Sequence, residues 1–587
     1  MTVLPRAPLV EIRGLTVGFP ATGEAPVVQG LDLTLHPGQC VALVGESGSG
    51  KSVTARTLLN LAGDGARITA ERFRIQGRDA RSFREAEWRR LRGTFAGLVM
   101  QDALVSLDPL RTVGQEVGEV LTEHRLVRGR QALAGRVHDT LARVGMPRPP
   151  ARAQQFAHQL SGGLRQRALI AAAIAAEPEL IIADEPTTAL DPAIQAQVLA
   201  VLADRVRDGA GLLLISHDIA LVAGIADRVL VMRAGRVVEA GPTRTVLEHP
   251  RHPYTRQLLA AIPSAASRGS RLSSARIEGG AAAILRAPLP PRAGIGAPVL
   301  EVRSIAKRYA HRAARGGTET LAALDGVSFT VRAGEVLGVI GASGSGKSTC
   351  AKIVLGLLEP DAGTVSLLGQ PWSGTSEARR RPLRRRLQYI PQDPLSSFDP
   401  RYRVGDIIGE NLPELGARQR EARIRALLDQ VGLSGALVTR SPRALSGGQR
   451  QRVAIARALA AEPALIVCDE PVSALDVSIQ AQVLDLLADL QARLGTALLF
   501  ISHDHGVIQH IADSVLVLYE GRIIDQGSVT DVFGRAAPDG PPGRPEAALQ
   551  APSAGSRPRS RWSGQPAGSS DSIADRAVAA PSPLRIV

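Results

Sequence analysis

The 587-residue sequence contains no uninterrupted apolar run of the roughly 20 residues that a helix needs to cross a bilayer. Its longest apolar stretch, residues 168–183, is interrupted by the Glu-Pro-Glu of residues 177–179. The first residues carry a single early Arg and lack an apolar core of signal-peptide length. We therefore expect a chain that neither spans a membrane nor is exported. Any membrane process that it serves then requires a pore from another polypeptide.

Cysteine, lysine and aromatic residues are scarce. The three cysteines, Cys40, Cys350 and Cys468, form no C-x-x-C pair, which argues against zinc or iron–sulfur sites and indicates small buried side chains in a reducing cytosol. Aromatic residues make up 3% of the chain, too few for a base-stacking surface of the RNA-recognition type. Because only four of the 70 basic residues are Lys, the net charge of +14 indicates a bias toward Arg codons rather than a binding patch.

The sequence is duplicated internally with a period of about 290 residues. Three segments of the first half return in the same order in the second half: 40–59 as 336–355, 159–191 as 444–476, and 212–218 as 498–504. A period of this length excludes a solenoid and indicates a duplicated domain. Each copy is long enough to bury its own core.

The composition between and after the copies predicts the domain boundaries. We predict a first domain over 1–263 and a second over 299–533. Residues 264–298 are rich in Ala, Gly, Pro, Ser and Arg without sustained periodicity, which predicts a flexible linker. Residues 534–587 contain too few apolar side chains to build a core, so we predict a disordered tail.

Each copy contains a glycine-rich phosphate loop between a predicted strand and a predicted helix. The motif G-x-x-x-x-G-K-S occupies residues 45–52 and 341–348, and two matches in equivalent contexts exclude chance. Main-chain N–H groups of such a loop surround phosphate oxygens, Lys contacts the β- and γ-phosphates, and Ser is a ligand of Mg²⁺. The predicted ATP-binding residues here are Gly45, Glu46, Ser47, Gly48, Ser49, Gly50, Lys51 and Ser52 in the first loop, and Gly341, Ala342, Ser343, Gly344, Ser345, Gly346, Lys347, Ser348 and Thr349 in the second.

A pair of carboxylates follows an apolar predicted strand in each copy, in the sequences ELIIADEP and ALIVCDEP. The first acids, Asp184 and Asp469, are positioned to hold Mg²⁺, as the acid that closes such a strand does in phosphate-loop enzymes. The second acids, Glu185 and Glu470, are predicted to lie beside the γ-phosphate and to polarise the attacking water. An isolated D-E-P would carry little weight, but here both pairs follow a phosphate loop.

An L-S-G-G segment precedes the carboxylate pair in both copies, at 160–163 and 445–448, and this order of motifs resembles the ABC-type ATPases. The resemblance implies an α/β fold of two tandem P-loop NTPase domains, each a RecA-like core with an antiparallel β subdomain and a helical subdomain. It assigns further residues: Gln101 and Gln392 as Q-loop glutamines, Asp191 and Asp476 as D-loop aspartates, His217 and His503 as catalytic switch histidines, and Phe19 and Tyr309 as aromatics stacked on adenine. The implied magnesium ligands are Ser52, Gln101 and Asp184 in one copy and Ser348, Gln392 and Asp469 in the other. Mg²⁺ is the expected cofactor, with ATP as substrate.

Two such domains are expected to associate head to tail, so that each ATP lies between one phosphate loop and the signature of the other domain. The signature residues expected to bind ATP are Ser161, Gly162 and Gly163 in the first domain and Ser446, Gly447, Gly448 and Gln449 in the second. Leu164 departs from this pattern because it stands where the family usually has Gln. We still predict hydrolysis at both sites, since the Ser and Gly amides contribute more than that side chain.

Residues 248–264, EHPRHPYTRQLLAAIPS, resemble the tail of ATPases that serve dipeptide, oligopeptide and nickel import. The resemblance implies a peripheral subunit on the cytoplasmic face of the bacterial inner membrane. Its expected partners are two integral-membrane permeases and, indirectly, a periplasmic or extracellular substrate-binding protein, with no nucleic acid. The alternative is a soluble tandem ABC ATPase acting on ribosomes or DNA, but residues 264–298 are not the long charged helical linker of translational factors. Dipeptides, longer peptides, glutathione and nickel remain open as cargo, and the second copy lacks H-P-Y-T.

Overall fold

The computed structural model describes residues 7–19, 25–101, 106–187, 190, 192–278, 283–292, 294–312 and 318–534. The predicted disordered tail, apart from Gly534, and the D-loop residue Asp191 lie outside these ranges. Among the described residues, no helix is both long and apolar enough to cross a membrane.

The first domain contains an antiparallel sheet and a mainly parallel core sheet. The antiparallel sheet pairs β2, β1, β5 and β6 in that order, with β4 on β1; its strands are β1 (Val10–Gly18), β2 (Val28–Leu35), β4 (Arg67–Thr69), β5 (Arg72–Ile75) and β6 (Arg78–Asp79). The core sheet has the order β11-β10-β3-β9-β8-β7, and its strands are β3 (Cys40–Gly45), β7 (Ala96–Val99), β8 (Leu180–Asp184), β9 (Gly211–Ile215), β10 (Arg228–Arg233) and β11 (Arg236–Pro242). All neighbours in the core sheet are parallel except β10 and β11.

The second domain repeats this architecture. Its antiparallel sheet has the order β15-β14-β17-β18, formed by β14 (Pro298–Arg312), β15 (Thr318–Arg332), β17 (Ala362–Leu367) and β18 (Gln370–Pro371). Its core sheet has the order β19-β20-β21-β16-β22-β23, formed by β16 (Val336–Gly341), β19 (Leu387–Ile390), β20 (Leu465–Asp469), β21 (Ala497–Ile501), β22 (Ser514–Tyr519) and β23 (Arg522–Ser528). A short hairpin of β12 (Arg276–Glu278) and β13 (Ala283–Leu285) lies between the domains in sequence.

Helices connect the strands. Those of the first copy are α1 (Lys51–Thr57), α2 (Glu85–Leu91), α3 (Val113–Glu123), α4 (Arg130–Arg143), α5 (Pro149–Ala153), α6 (Gly162–Ile174), α7 (Pro192–Arg207), α8 (Ile219–Ile225), α9 (Thr243–Glu248) and α10 (Pro253–Ala260). Those of the second are α11 (Lys347–Val354), α12 (Glu377–Arg384), α13 (Pro394–Ser397), α14 (Val404–Gly409), α15 (Ala417–Gln430), α16 (Gly447–Ala460), α17 (Val477–Leu494), α18 (His505–Ile511) and α19 (Val529–Gly534). The helices α3–α5 and α13–α15 lie between the Q-loop glutamine and the signature of each copy, and they form the helical subdomains that the family resemblance implies.

Strand burial follows the sequence pattern. The strand β3 reads C-V-A-L-V-G and is buried at every residue, as expected for a central parallel strand covered on both faces. The strand β1 instead tends to alternate buried and more exposed residues, which suits a sheet with one face on the core. The predicted α/β class with two phosphate-loop domains is therefore confirmed.

All three cysteines are buried, as predicted, and burial raises the pKa of the Cys350 thiol to about 12.

The described part of residues 264–292 lies against the second domain. Arg271 donates to both carboxylate oxygens of Asp489, at 2.9 and 2.6 Å. The main-chain N–H of Leu272 donates to Asp485 Oδ1 at 2.9 Å, and the Leu272 side chain is fully buried. This differs from the flexible linker expected from the composition. The segment is held because its N–H groups donate to the carboxylates of Asp485 and Asp489 on α17. The composition of residues 264–298 alone could not predict these distant acceptors.

Candidate functional site

The two phosphate loops have the same geometry. A Cβ at Gly45 would lie 2.1 Å from the carbonyl oxygen of Met232, so only glycine fits there. Lys51 is 7% exposed, and its ammonium donates to the carbonyls of Gly45 and Glu46, both at 2.8 Å. Lys347 makes the equivalent bonds to the carbonyls of residues 341 and 342, at 2.7 and 2.8 Å. Each lysine is thus held inside its loop by acceptors that phosphate oxygens can replace.

Lys51 also lies in a strongly negative environment. Burial lowers the pKa of its ammonium below the ordinary value, and the carboxylates of Glu185, Asp476 and Asp184 oppose that effect. The loop therefore combines a partly desolvated cation with acids that favour its charged form. A phosphate group bound here would meet a cation that water does not screen well.

Two of the predicted magnesium ligands of the first copy, Ser52 and Asp184, contact each other at the end of the strand β8. Ser52 Oγ donates to Asp184 Oδ1 at 3.0 Å, and Asp184 is 2% exposed. Burial, with a contribution from Glu185, raises the pKa of the Asp184 carboxyl, and burial with Glu470 does the same for Asp469. A hydroxyl and a carboxylate are the hard oxygen donors that Mg²⁺ prefers, so these residues fit the ion. Among the described residues, no three His, Cys, Asp or Glu side chains form a group suited to a metal. The predicted magnesium ligands are of a different kind, because they include one Asp together with a Ser and a Gln.

Each predicted catalytic glutamate lies between a glutamine and a histidine. Gln101 Nε2 donates to Glu185 Oε2 at 2.8 Å, and His217 Nδ1 lies 3.4 Å from the same oxygen. In the second copy Gln392 Nε2 donates to the Glu470 carboxylate at 2.9 Å, and His503 Nδ1 lies 3.2 Å from it. The structure therefore brings together the residues that the sequence assigned to the Q-loop, the strand end and the switch.

The electrostatics of these triads favour a charged glutamate–histidine pair. Burial alone would lower the pKa of His217 and His503, but the hydrogen bond and charge of the adjacent glutamate outweigh it, and both pKa values are raised. Burial would raise the pKa of Glu470, yet His503 and Lys347 lower it. The Glu470 carboxylate is thereby favoured as the anion, which can accept a proton or orient a water molecule.

Both glutamates also have a left-handed backbone, with φ of 50° at Glu185 and 48° at Glu470. Residues other than glycine adopt this region at a cost of roughly 1–3 kcal/mol and do so most often at functional sites. The main-chain N–H of each glutamate donates across to the neighbouring strand, to Ile215 and Ile501, both at 2.9 Å. The left-handed residue makes the chain turn sharply where β8 and β20 end. No sequence pattern predicts this turn.

A residue of the second domain contacts the first phosphate loop. Asp476 Oδ2 accepts the main-chain N–H of Ser47 at 3.3 Å, and Asp476 Oδ1 caps α17 by accepting the N–H of Ile479 at 3.1 Å. The predicted D-loop aspartate of one copy is therefore adjacent to the phosphate loop of the other. The counterpart Asp191 lies outside the described residues.

The two signature segments differ in the hydrogen bonds at the start of their helices. In the second copy, Gln449 Oε1 accepts the N–H of Ser446 at 3.0 Å, and Ser446 Oγ accepts the N–H of Gln449 at 3.3 Å. Within the described residues Ser161 makes no side-chain cap bond to its helix α6. The Leu164 side chain has no acceptor, so the reciprocal bond to the Ser161 N–H that a capping box requires cannot form. Gly448 is required beside the second signature, since a Cβ there would lie 2.5 Å from Ile479.

Three aromatic residues complete the description of the site. Tyr309 is 41% exposed, as an adenine-stacking ring needs to be, and Phe19 is half-buried; their contact with adenine stays a prediction. Tyr389 was not predicted from the sequence: its hydroxyl donates to Asp469 at 3.3 Å. Leu98 occupies the equivalent strand position in the first copy. In the sequence, Tyr389 is one aromatic residue in the apolar strand β19, and such a residue is expected there for packing alone.

Comparison with known proteins gives consistent matches over both copies. The ABC transporter family matches residues 28–188 and 324–473. The oligopeptide/dipeptide transporter C-terminal region matches residues 238–288.

Three curated relatives match over most of their length. The chain is 40% identical over 539 residues to the peptidoglycan transport ATP-binding protein YejF of Agrobacterium fabrum, covering 91% of this chain and 95% of that protein. It is 39% identical over 591 residues to the oligopeptide transport ATP-binding protein OppD of Mycobacterium bovis, covering 90% and 96%. It is 40% identical over 542 residues to the glutathione import ATP-binding protein GsiA of Salmonella choleraesuis, covering 89% and 87%.

A tandem arrangement is also seen in a solved structure of ribosome-bound archaeal Pelota and ABCE1. The match has a TM-score of 0.58 at 21% identity and covers 86% of this chain and 78% of that chain. At this identity the likeness shows the fold alone.

Proposed function

Because the chain belongs to the ABC transporter family of ATPases, we propose that it is the ATP-hydrolysing subunit of an importer for short peptides. The observation that supports this most is the match of residues 238–288 to the oligopeptide/dipeptide transporter C-terminal region. The cargoes named for the three relatives, peptidoglycan, oligopeptides and glutathione, all contain peptide bonds. A peptide is therefore the cargo class that we favour over nickel.

Within each ATP site, we propose the following roles. Lys51 and Lys347 exchange loop carbonyls for phosphate oxygens, and Glu185 and Glu470 polarise the attacking water. Ser52 and Asp184, with Gln101, would hold Mg²⁺ in the first site, and Ser348, Asp469 and Gln392 would do so in the second. The metal ion supplies charge neutralisation at the phosphates. His217 and His503 contact the γ-phosphate and, through their glutamate partners, register its loss.

We further propose that each ATP binds between one phosphate loop and the opposite signature. The bond between Asp476 of the second copy and Ser47 of the first supports this head-to-tail arrangement. Ser446, Gly447 and Gly448 would then complete the first site, and Ser161, Gly162 and Gly163 the second. Helix N-termini carry partial positive charge, so both signatures present main-chain donors to a γ-phosphate.

The proposed partners are two integral-membrane permease subunits, with a substrate-binding protein acting through them, and the chain itself is proposed to lie on the cytoplasmic face of the inner membrane. The surface near the Q-loop of the first copy supports a protein contact. Leu110 follows the S-L-D-P segment and is 84% exposed, although a leucine gains about 1.5–3 kcal/mol on full burial. Its side chain therefore suits an apolar contact with a short permease helix.

Affinity purification from detergent-solubilised membranes tests this function. The tagged chain should recover two multi-spanning proteins, and Leu110→Asp should recover less of them because a charge cannot enter an apolar contact without cost. Leu357→Asp is the matched control, since Leu357 is also exposed, at 67%, but lies after the second phosphate-loop helix. Recovery of ribosomes or DNA with no membrane protein would overturn the proposal.

A further inference from the structure

A tyrosine from the segment after the first domain lies against the first phosphate loop. Tyr254 belongs to H-P-Y-T and is 2% exposed. Its Oη accepts the main-chain N–H of Glu46 at 3.1 Å, across 208 residues of sequence. Glu46 directly follows Gly45, the residue at which the strand β3 ends and the loop begins. A side chain outside the phosphate motif thus contacts the main chain of the motif.

The residue Glu46 is fixed at both of its main-chain polar groups. Its carbonyl accepts a bond from Lys51 at 2.8 Å, while its N–H donates to Tyr254. Rotating this part of the loop would break both bonds, so the tyrosine hydroxyl restrains the loop that surrounds the phosphates. A loop held in its binding conformation loses less entropy when the ligand arrives.

The position of Tyr254 is itself held by several contacts. The guanidinium of Arg233 lies 4.9 Å from the ring centre. The carboxylate of Glu239 accepts the N–H groups of Arg251 and His252, at 2.8 and 3.1 Å, and His252 Nδ1 accepts the N–H of Tyr254 at 3.1 Å. Burial raises the pKa of Tyr254 to about 12, so the phenol stays neutral near neutral pH.

The second phosphate loop has no equivalent of this tyrosine in sequence. Ala342 stands where the first loop has Glu46, and the second copy contains no H-P-Y-T after α19. Within the described ranges, no side chain accepts the main-chain N–H of Ala342, so the restraint is seen at the first site alone among those residues. An experiment that separates the two sites can reveal it.

We propose that Tyr254 is a positioning residue for the first ATP site, where its hydroxyl holds the Glu46 N–H and preforms the phosphate loop for nucleotide. The proposal rests on the assignment of residues 45–52 as an ATP loop and is independent of the cargo. The hydrogen bond is neutral, and net values for such bonds correspond to about two- to tenfold in an equilibrium constant. Loss of the hydroxyl should weaken nucleotide binding at the first site by that factor.

Binding of mant-ATP with Mg²⁺ to the full-length chain tests the proposal. Lys347→Ala leaves the first site as the main binding site, and Lys51→Ala leaves the second. Adding Tyr254→Phe should weaken binding about two- to tenfold in the Lys347→Ala chain and leave the Lys51→Ala chain unchanged. The main-chain N–H of Glu46 should also exchange faster with solvent, because it has lost its acceptor.

Tyr402→Phe is the matched control, since Tyr402 is 37% exposed and its change should alter binding in neither chain. Equal weakening at both sites would show a general structural role and overturn the proposal. Unchanged binding in the Lys347→Ala chain would overturn it as well. If neither chain binds mant-ATP before Tyr254 is changed, the assignment of the ATP sites fails, and the proposal fails with it.

Discussion

Exchanging Leu164 and Gln449 between the two signature helices should exchange the stability of their first turns. The second helix begins with reciprocal bonds between Ser446 and Gln449, at 3.0 and 3.3 Å. Ser161 starts the first helix without a side-chain cap bond among the described residues. Gln449→Leu should therefore loosen the start of α16, and Leu164→Gln should tighten the start of α6.

The expected magnitude follows from the one hydrogen bond that Gln449→Leu removes, from the Ser446 N–H to Gln449 Oε1, while the serine hydroxyl stays in place. A net hydrogen bond is worth about 0.5–1.5 kcal/mol, so we take about 1 kcal/mol for Gln449→Leu. This corresponds to about a fivefold change in a local opening equilibrium. The gain for Leu164→Gln should be smaller, because Leu164 is partly buried against the core and the change gives up some apolar contact.

Hydrogen–deuterium exchange of the peptides that cover residues 160–168 and 445–453 measures both effects. The first-turn amides of α6 should exchange faster than those of α16 in the wild type. Gln449→Leu should remove that difference, and Leu164→Gln should reduce it. Gln419→Leu, the same chemical change at an exposed position of α15, should alter neither peptide. The account of the cap is refuted if Gln449→Leu leaves the exchange of residues 445–453 unchanged.

Three further outcomes are expected. Changing Glu185→Gln or Glu470→Gln should each lower ATP hydrolysis, by up to about 10²–10⁴-fold at the affected site, in a phosphate-release assay. Leu272→Ala should lower the free energy of unfolding by about 2–5 kcal/mol in a urea titration, because Leu272 is fully buried where the connecting residues meet the second domain. Acidification below about pH 6.5 should loosen those residues, measured by amide exchange over 264–278, because His510 is buried beneath them as the neutral imidazole.

The sign of the pH effect follows from the surroundings of His510, whose Nδ1 lies 2.9 Å from Ser267 Oγ. Burial lowers the pKa of His510; Asp485 opposes this, and Arg286 and Arg268 reinforce it. A histidine with a lowered folded-state pKa confers stability that is complete above its unfolded pKa and lost as the pH falls through that value. His510→Gln should remove the pH dependence of the protection factors, which correct for the intrinsic slowing of amide exchange in acid. Protection factors over 264–278 that rise on acidification would contradict the prediction.

Controls separate the other two outcomes from general damage. Leu494→Ala, at a leucine that is 53% exposed, should cost far less stability than Leu272→Ala. A glutamate variant that keeps wild-type turnover would show that its site does not catalyse hydrolysis.

The parts of the site that the sequence predicted are those encoded over short distances. The phosphate loops, the carboxylate pairs and the signatures are continuous motifs, and the core strands that carry them are buried apolar runs. The roles of Gln101 and His217 could be assigned only through the family resemblance, because both contact Glu185 from other parts of the chain. Gln101 is 84 residues from Glu185 in sequence, and His217 follows a different strand. Their convergence depends on the order of strands in the sheet, which no local pattern specifies.

The contacts that the sequence did not predict join distant segments. Tyr254 stands in the H-P-Y-T motif, yet its bond to Glu46 spans 208 residues, which the motif does not indicate. Nothing in the sequence distinguishes Arg271 from the other basic residues, of which the chain has 70. Its partner Asp489 is 218 residues away. The left-handed backbone of Glu185 was equally hidden, since most residues other than glycine avoid that region.

Uptake of a labelled short peptide by intact cells tests the central claim most directly. A strain that lacks this chain should lose uptake, the wild-type chain should restore it, and the Lys51→Ala/Lys347→Ala chain should not, because neither phosphate loop can then hold ATP. Restoration by the double variant, or unchanged peptide uptake in the deletion strain, would contradict the account.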